Sequence, residues 1–217
     1  MKTDKVTDYV PVLSTLFEKT AHWFVRAKAS LLDELPCGKG CSHCCVGVFP
    51  VTVLDRREIQ RGLRTLSPEK RRVIMERAVA QTRLMERDVP ELAHDEYIDN
   101  WQDSDTDVMI ERYRELPCPA LQSDGTCGIY AFRPLTCRSM GIPSEVDGVV
   151  QGACAVQTSV PIIRLSLSLR QEEDRLVDEE ADQLVCLRDQ TGIKGEELFL
   201  PYAFVPEIDK KSTRGAP

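Results

Sequence analysis

Long apolar runs are missing from this chain. No window of its 217 residues approaches the roughly 18 apolar residues of a membrane-spanning helix. Its opening, MKTDKVTDYVPVLSTLFEKT, places polar and charged residues where a signal peptide needs an apolar stretch of about 7 to 15 residues. The expectation is a soluble, cytoplasmic protein with no membrane contact. A concentrated basic face is missing too. The formal net charge is −7 and the isoelectric point about 5.1. The run of basic residues Arg56, Arg57, Arg61, Arg64, Lys70, Arg71 and Arg72 falls in helical segments that also hold acids, which excludes a general nucleic-acid binder. No Ser-His-Asp arrangement, phosphate-binding loop or paired-carboxylate spacing stands out, and neither does an internal repeat or low-complexity tract. The signatures that assign common enzyme classes are therefore absent.

Cysteine is what the chain has in excess. Eight of its nine cysteines form two groups: Cys37, Cys41, Cys44 and Cys45 in the run CGKGCSHCC, then Cys118, Cys127, Cys137 and Cys154. An odd total, a reducing compartment and the adjacent pair Cys44-Cys45 argue against a disulfide framework and for metal ligation. In Cys41-Ser-His-Cys44 two sulfurs in a tight turn converge on one ion while backbone N–H groups bond to the sulfurs. Successive side chains diverge, so Cys44 and Cys45 are expected to face separate sites or separate atoms of a polynuclear cluster. Structural zinc favours two knuckle pairs. The second group is spread instead, with eight, nine and sixteen residues between successive cysteines. An iron–sulfur cluster accepts such scattered ligands, because its iron atoms offer separate attachment points. Eight thiolates also suffice for two zinc sites, and both cofactors stay open. His43 lies inside the run and reads as a satisfied or solvent-facing imidazole; Cys186 reads as a small buried residue of the last helix.

The rest of the chain reads as mainly helical. Apolar residues Leu13, Leu16, Phe17, Phe24, Leu31 and Leu32 recur at helical spacing and predict an amphipathic helix over 12–35 that delivers Cys37. Thr52 to Asp55 has the form of a capping box for a helix ending beside Gly62, and Ser67-Pro68-Glu69 opens a second helix to about Arg87. Residues 88–104 read as a surface loop or partly helical linker. A short helix follows from about Ser104 to Leu116, then a loop-rich stretch from Pro117 to Gly152 organised by ligation. A long charged helix over 164–188 stops at Gly192. An apolar patch, Leu198 to Val205, precedes a polar tail expected to be mobile.

The spacing C-x3-C-x2-C at Cys37, Cys41 and Cys44 also occurs in radical S-adenosylmethionine enzymes. The chain lacks the alternating strand and helix pattern of their barrel, and His43 stands where an aromatic residue is usual. The second block, CPALQSDGTCGIYAFRPLTCRSMG, is more specific. With CGKGCSHCC it resembles the YkgJ-type cysteine-cluster family, the CxxCxxCC zinc- or iron-chelating domain. The match is carried by the eight cysteines together with Pro119, Leu121, Gly125, Ile129-Tyr130, Arg133-Pro134 and Arg138, over about residues 35–155. One spacing departs, with three residues instead of two between Cys37 and Cys41. The resemblance implies metal chelation and little about reaction or partner. A related cluster occurs in flagellin lysine methylases, but no glycine-rich turn after a strand offers a seat for S-adenosylmethionine here. Arg133 and Arg138 bracket Cys137 and are read as offsetting thiolate charge, with Tyr130 packing over the site and its hydroxyl bonded to backbone.

Together these readings predict one mainly α domain over 1–217, its helices arranged around a loop-rich, cysteine-ligated metal centre. It holds an iron–sulfur cluster or zinc through up to eight thiolates, in a structural or redox role. The alternatives are a metalloenzyme acting on a protein or small molecule, including cluster-dependent methyltransfer, and metal delivery. A protein partner is admitted, without identity.

Overall fold

A stripe of apolar residues sets the first helix. Leu16, Trp23, Ala27 and Leu31 recur at seven- and four-residue steps and are all at most 1 % exposed, the periodicity of a helix with one buried face. The computed structural model describes residues 11–31, 35, 37, 40–146, 149–151 and 164–206. Among these the elements run α1 (Pro11–Ser30), β1 (Pro50–Thr52), α2 (Val53–Thr65), α3 (Pro68–Asp88), α4 (Asp103–Arg112), α5 (Leu135–Ser139), β2 (Ser144–Val146), β3 (Val149–Gln151), α6 (Leu167–Thr191), β4 (Glu197–Phe199) and α7 (Leu200–Phe204), with short 3₁₀ turns between them. The chain is mainly α, as its periodicity predicts. Its contacts divide it into two compact units, Met1–Cys44 with Arg133–Ile193 and Cys45–Phe132 with Lys194–Pro217.

In the first unit α1 packs against α6 and α5. The core holds Trp23, Ala27, Leu31, Leu35, Ile142 and Leu165. Trp23 is fully buried, and its indole N–H finds the Leu169 carbonyl at 2.9 Å, the partner a buried indole requires. The helix ends at Ser30, short of the expected Leu35. There the Ser30 hydroxyl bonds the Ala27 carbonyl and the Leu31 N–H turns back to Lys28. Helix α6 runs from a Ser166 cap to Gly192, whose φ of 65° supplies the left-handed stop. Ser144 to Val146 and Val149 to Gln151 form an antiparallel pair within the stretch expected to be loop.

In the second unit the Thr52–Asp55 capping box forms as expected and starts α2, and Ser67 caps α3 with Pro68 in its first turn. Gly62 does not end α2; it lies inside the helix, where a Cβ would fall 2.6 Å from the Phe132 Cβ. The glycine is a packing contact for the 3₁₀ turn Tyr130–Phe132, and the Arg61 guanidinium lies over the Phe132 ring, 5.1 Å from its centre. The apolar patch after residue 197 is more than a patch. Its first residues pair antiparallel with β1, Val51 opposite Leu198, and the rest become α7, wholly buried against α2 and α3. Arg56 ties this end together. Its guanidinium makes two 2.8 Å bonds to Glu96 and one of 3.0 Å to the Tyr202 carbonyl. No helix among the described residues is long and apolar enough to cross a membrane. The tail expected after Val205 lies, from residue 207, outside the described residues.

Candidate metal centre

Three of the eight cysteines belong to the second unit, and the backbone brings two of them together. Val46 and Pro117 form an antiparallel bridge. It is flanked by Gly47 N–H to the Leu116 carbonyl at 2.8 Å and Cys118 N–H to the Cys45 carbonyl at 2.7 Å. One step from that bridge on each strand, Cys45 and Cys118 stand directly opposite each other. Directly opposite residues of an antiparallel pair share a face, with Cβ atoms roughly 5 Å apart. Two sulfurs on one tetrahedral metal atom, with bonds of about 2.3 Å, lie roughly 3.8 Å apart.

Cys118 also opens a turn, closed by Leu121 N–H to its carbonyl at 3.0 Å, that leads into a tight hairpin. Leu121 and Cys127 form the bridge of that hairpin. At its tip the Asp124 carboxylate accepts from the Thr126 N–H and hydroxyl at 3.0 and 2.6 Å, and Gly125, with φ 79°, turns the chain. The sequence DGT between Cys118 and Cys127 is thus the device that presents Cys127.

The first unit holds Cys37, Cys41, Cys44 and Cys137. Cys37 is held from both sides. The Lys28 ammonium of α1 donates to its carbonyl. Its sulfur rests on Gly141, where a Cβ would overlap the Cys37 Sγ. Gly141 follows Cys137 by four residues and has φ 97°, so both the missing side chain and the left-handed backbone are needed there. The block CRSMG therefore gives Cys137 and, at its end, the cradle for Cys37. Ligand logic alone gives this glycine no role; its fixed spacing from a cysteine is the signal in the sequence that marks it. Cys44 closes the first segment in the 3₁₀ turn His43–Cys45, and the next residue, Cys45, begins the second unit. All seven of these clustered cysteines are partly buried. Cys154 lies outside the described residues.

The side chains expected around the sulfurs take varied places. Arg138 is buried on α5, with Nε bonded to the Arg133 carbonyl at 3.0 Å and its guanidinium 5.3 Å over the Phe17 ring. It braces the Cys137 helix against α1. Arg133 supplies the carbonyl of that brace. Tyr130 is 45 % exposed, and His43 is exposed at the start of its 3₁₀ turn. Cys186, read as a buried residue, is exposed on α6, where its sulfur accepts from the Gln190 amide at 3.1 Å. Among the described residues, no three Cys, His, Asp or Glu side chains already converge as a ligand set.

Residues 36–155 match the model of the CxxCxxCC family, described as "Putative zinc- or iron-chelating domain". Searches of curated proteins and of solved structures found no match to the chain.

Proposed function

The chain belongs to the CxxCxxCC family of zinc- or iron-chelating domains, and we propose that this metal-binding cysteine-cluster protein holds an iron–sulfur cluster in a structural or redox role. The observation that carries the reading is the Cys45–Cys118 pair, two cysteines 73 positions apart in sequence set face to face by backbone hydrogen bonds. Iron–sulfur is favoured over zinc by how the sulfurs are presented. Cys118 opens a turn, Cys127 sits in a hairpin and Cys137 in a helix. Structural zinc takes ligands as two knuckle pairs close in sequence, whereas the irons of a cluster offer separate attachment points that accept ligands from scattered segments.

The proposed ligands are Cys37, Cys41, Cys44, Cys45, Cys118, Cys127, Cys137 and, carried by the family match, Cys154. Thiolate ligation and folding are coupled, so full convergence of the sulfurs belongs to metal binding. A bound cluster supplies one-electron chemistry. The chain's own residues fix where the sulfurs stand: Lys28 and Gly141 hold Cys37, the Arg138 brace holds α5, and Asp124 with Gly125 shapes the Cys127 hairpin.

The test is metal and sulfide analysis with visible absorption and electron paramagnetic resonance on protein purified without oxygen. Iron and sulfide in cluster ratio, in a brown protein, is the expected result; a colourless protein with tightly held zinc overturns the iron–sulfur assignment. Cys44→Ser is expected to lower metal stoichiometry and melting temperature together.

A further inference from the structure

Two exposed helix faces carry opposite charge, and nothing covers them among the described residues. On α3, Pro68, Met75, Val79 and Ala80 line a shallow groove of about 580 Å³ edged by Arg71, Arg72 and Arg83. Arg83 makes no ion pair among the described residues, and Arg72 makes only an exposed one, 2.8 Å to Glu76. On α6, Asp174, Asp178, Asp182 and Asp189 are all exposed, and none has a side-chain partner among the described residues. Exposed Val177 and Val185, 61 % and 45 % accessible, stand among them. The steps Asp174, Asp178 and Asp182 are like charges at i,i+4 spacing, which destabilises a helix left alone in water.

The two faces match in register. Arg72 and Arg83 are eleven residues apart, as are Asp178 and Asp189, about three turns or 16 Å on either helix. An antiparallel pairing sets Arg83 against Asp178 and Arg72 against Asp189. It brings Ala80 to Ala181, one turn from the Arg83–Asp178 end, where small side chains let the helices approach, and lays Val185 beside the α3 groove. We propose that the occupant of the α3 groove is α6 of a second copy of this chain. The contact is heterologous, a basic face on one copy meeting an acidic face on the next. It is independent of which metal the cysteines hold.

The experiment is sedimentation velocity on the full, metal-loaded chain at about 100 µM and roughly 50 mM salt, where surface charges are weakly screened. Wild-type protein is expected to exceed the 24.5 kDa monomer mass and to fall back to it as salt is raised. The double reversals Arg72→Glu/Arg83→Glu and Asp178→Arg/Asp189→Arg each weaken association by at least about tenfold, since attraction becomes repulsion. All four positions are exposed, so circular dichroism and metal content should match wild type. The decisive sample is an equal mixture of the two reversed proteins, each monomeric alone. It associates again, because both faces of each protein then meet complementary faces on the other. Wild-type protein monomeric under these conditions, association that survives either reversal, or a mixture that stays monomeric overturns the proposal.

Discussion

The Cys118 N–H donates to the Cys45 carbonyl at 2.7 Å, one step from the Val46–Pro117 bridge. This hydrogen bond joins the two cysteine groups of the sequence inside one compact unit. Neither residue's backbone contact involves its sulfur, so serine at either position leaves the bridge intact and removes only the thiolate.

If both sulfurs hold the same metal atom, their losses are not additive. Cys45→Ser and Cys118→Ser are each expected to lower metal stoichiometry, and the double variant to lose little beyond the worse single one. A double-mutant cycle on metal content and melting temperature checks this. Strict additivity of the two losses would falsify the shared atom.

Gly141 offers a test that leaves every sulfur in place. A methyl group there displaces the Cys37 sulfur and must also adopt φ near 97°. Gly141→Ala is expected to cost about 1–3 kcal/mol in stability from backbone strain alone. It should also reduce metal occupancy, which strain in an unrelated loop would not do. Denaturant midpoints and metal analysis on one preparation separate the two effects.

Arg56 is the corresponding point for the second unit's fold. Its two bonds to Glu96 and one to the Tyr202 carbonyl are formed with the side chains only 7 % and 15 % exposed. Removing one partner of such a pair strands the other charge, so Arg56→Ala is expected to lose about 3–5 kcal/mol. Replacing both partners by apolar residues should cost less than either single change. Chemical unfolding of the three variants measures the difference.

What the sequence discloses divides by range. The Thr52 capping box, the Ser67-Pro68 start and the Gly192 stop rest on residues within a turn of one another, and all three form where their patterns stand. Gly62 was read as a stop by that same local logic. Its cause is Phe132, seventy positions on, and no local pattern carries that contact. The short strands escaped for the same reason. Pro50–Thr52 has too few residues to show an alternation, and its partner Glu197–Phe199 is recognisable only once the two are paired. At the candidate centre the cysteine spacing announced ligand chemistry, and the family match agrees. The pairing of Cys45 with Cys118 needs a register that spacing does not encode. The Phe17 ring under the buried Arg138 guanidinium is likewise a long-range contact that no local pattern carries.

The junction of α3 and α4 gives a prediction in pH. Tyr113 is buried and its hydroxyl donates to Asp88 at 2.8 Å, where Arg112 also donates at 3.0 Å. Burial, then the adjoining carboxylate, pushes the Tyr113 phenol up to about 12. The Tyr113 hydroxyl and Arg112 hold Asp88 below its usual range against a smaller opposing effect of burial. The signs follow from linkage. The folded phenol keeps its proton more tightly than the unfolded one. Its contribution is therefore complete below an unfolded value of about 10 and disappears as pH rises from there to about 12. Asp88 acts oppositely: its contribution is present above the unfolded carboxylate value and is lost as pH falls through the lower folded one. Tyr113→Phe removes the phenol that titrates and one of the two donors to Asp88. Unfolding midpoints measured against pH should show a shallower decline between about pH 10 and 12 in the variant, and a smaller acid-side loss. Parallel wild-type and variant curves across both limbs would show that this hydroxyl carries no pH-dependent stability.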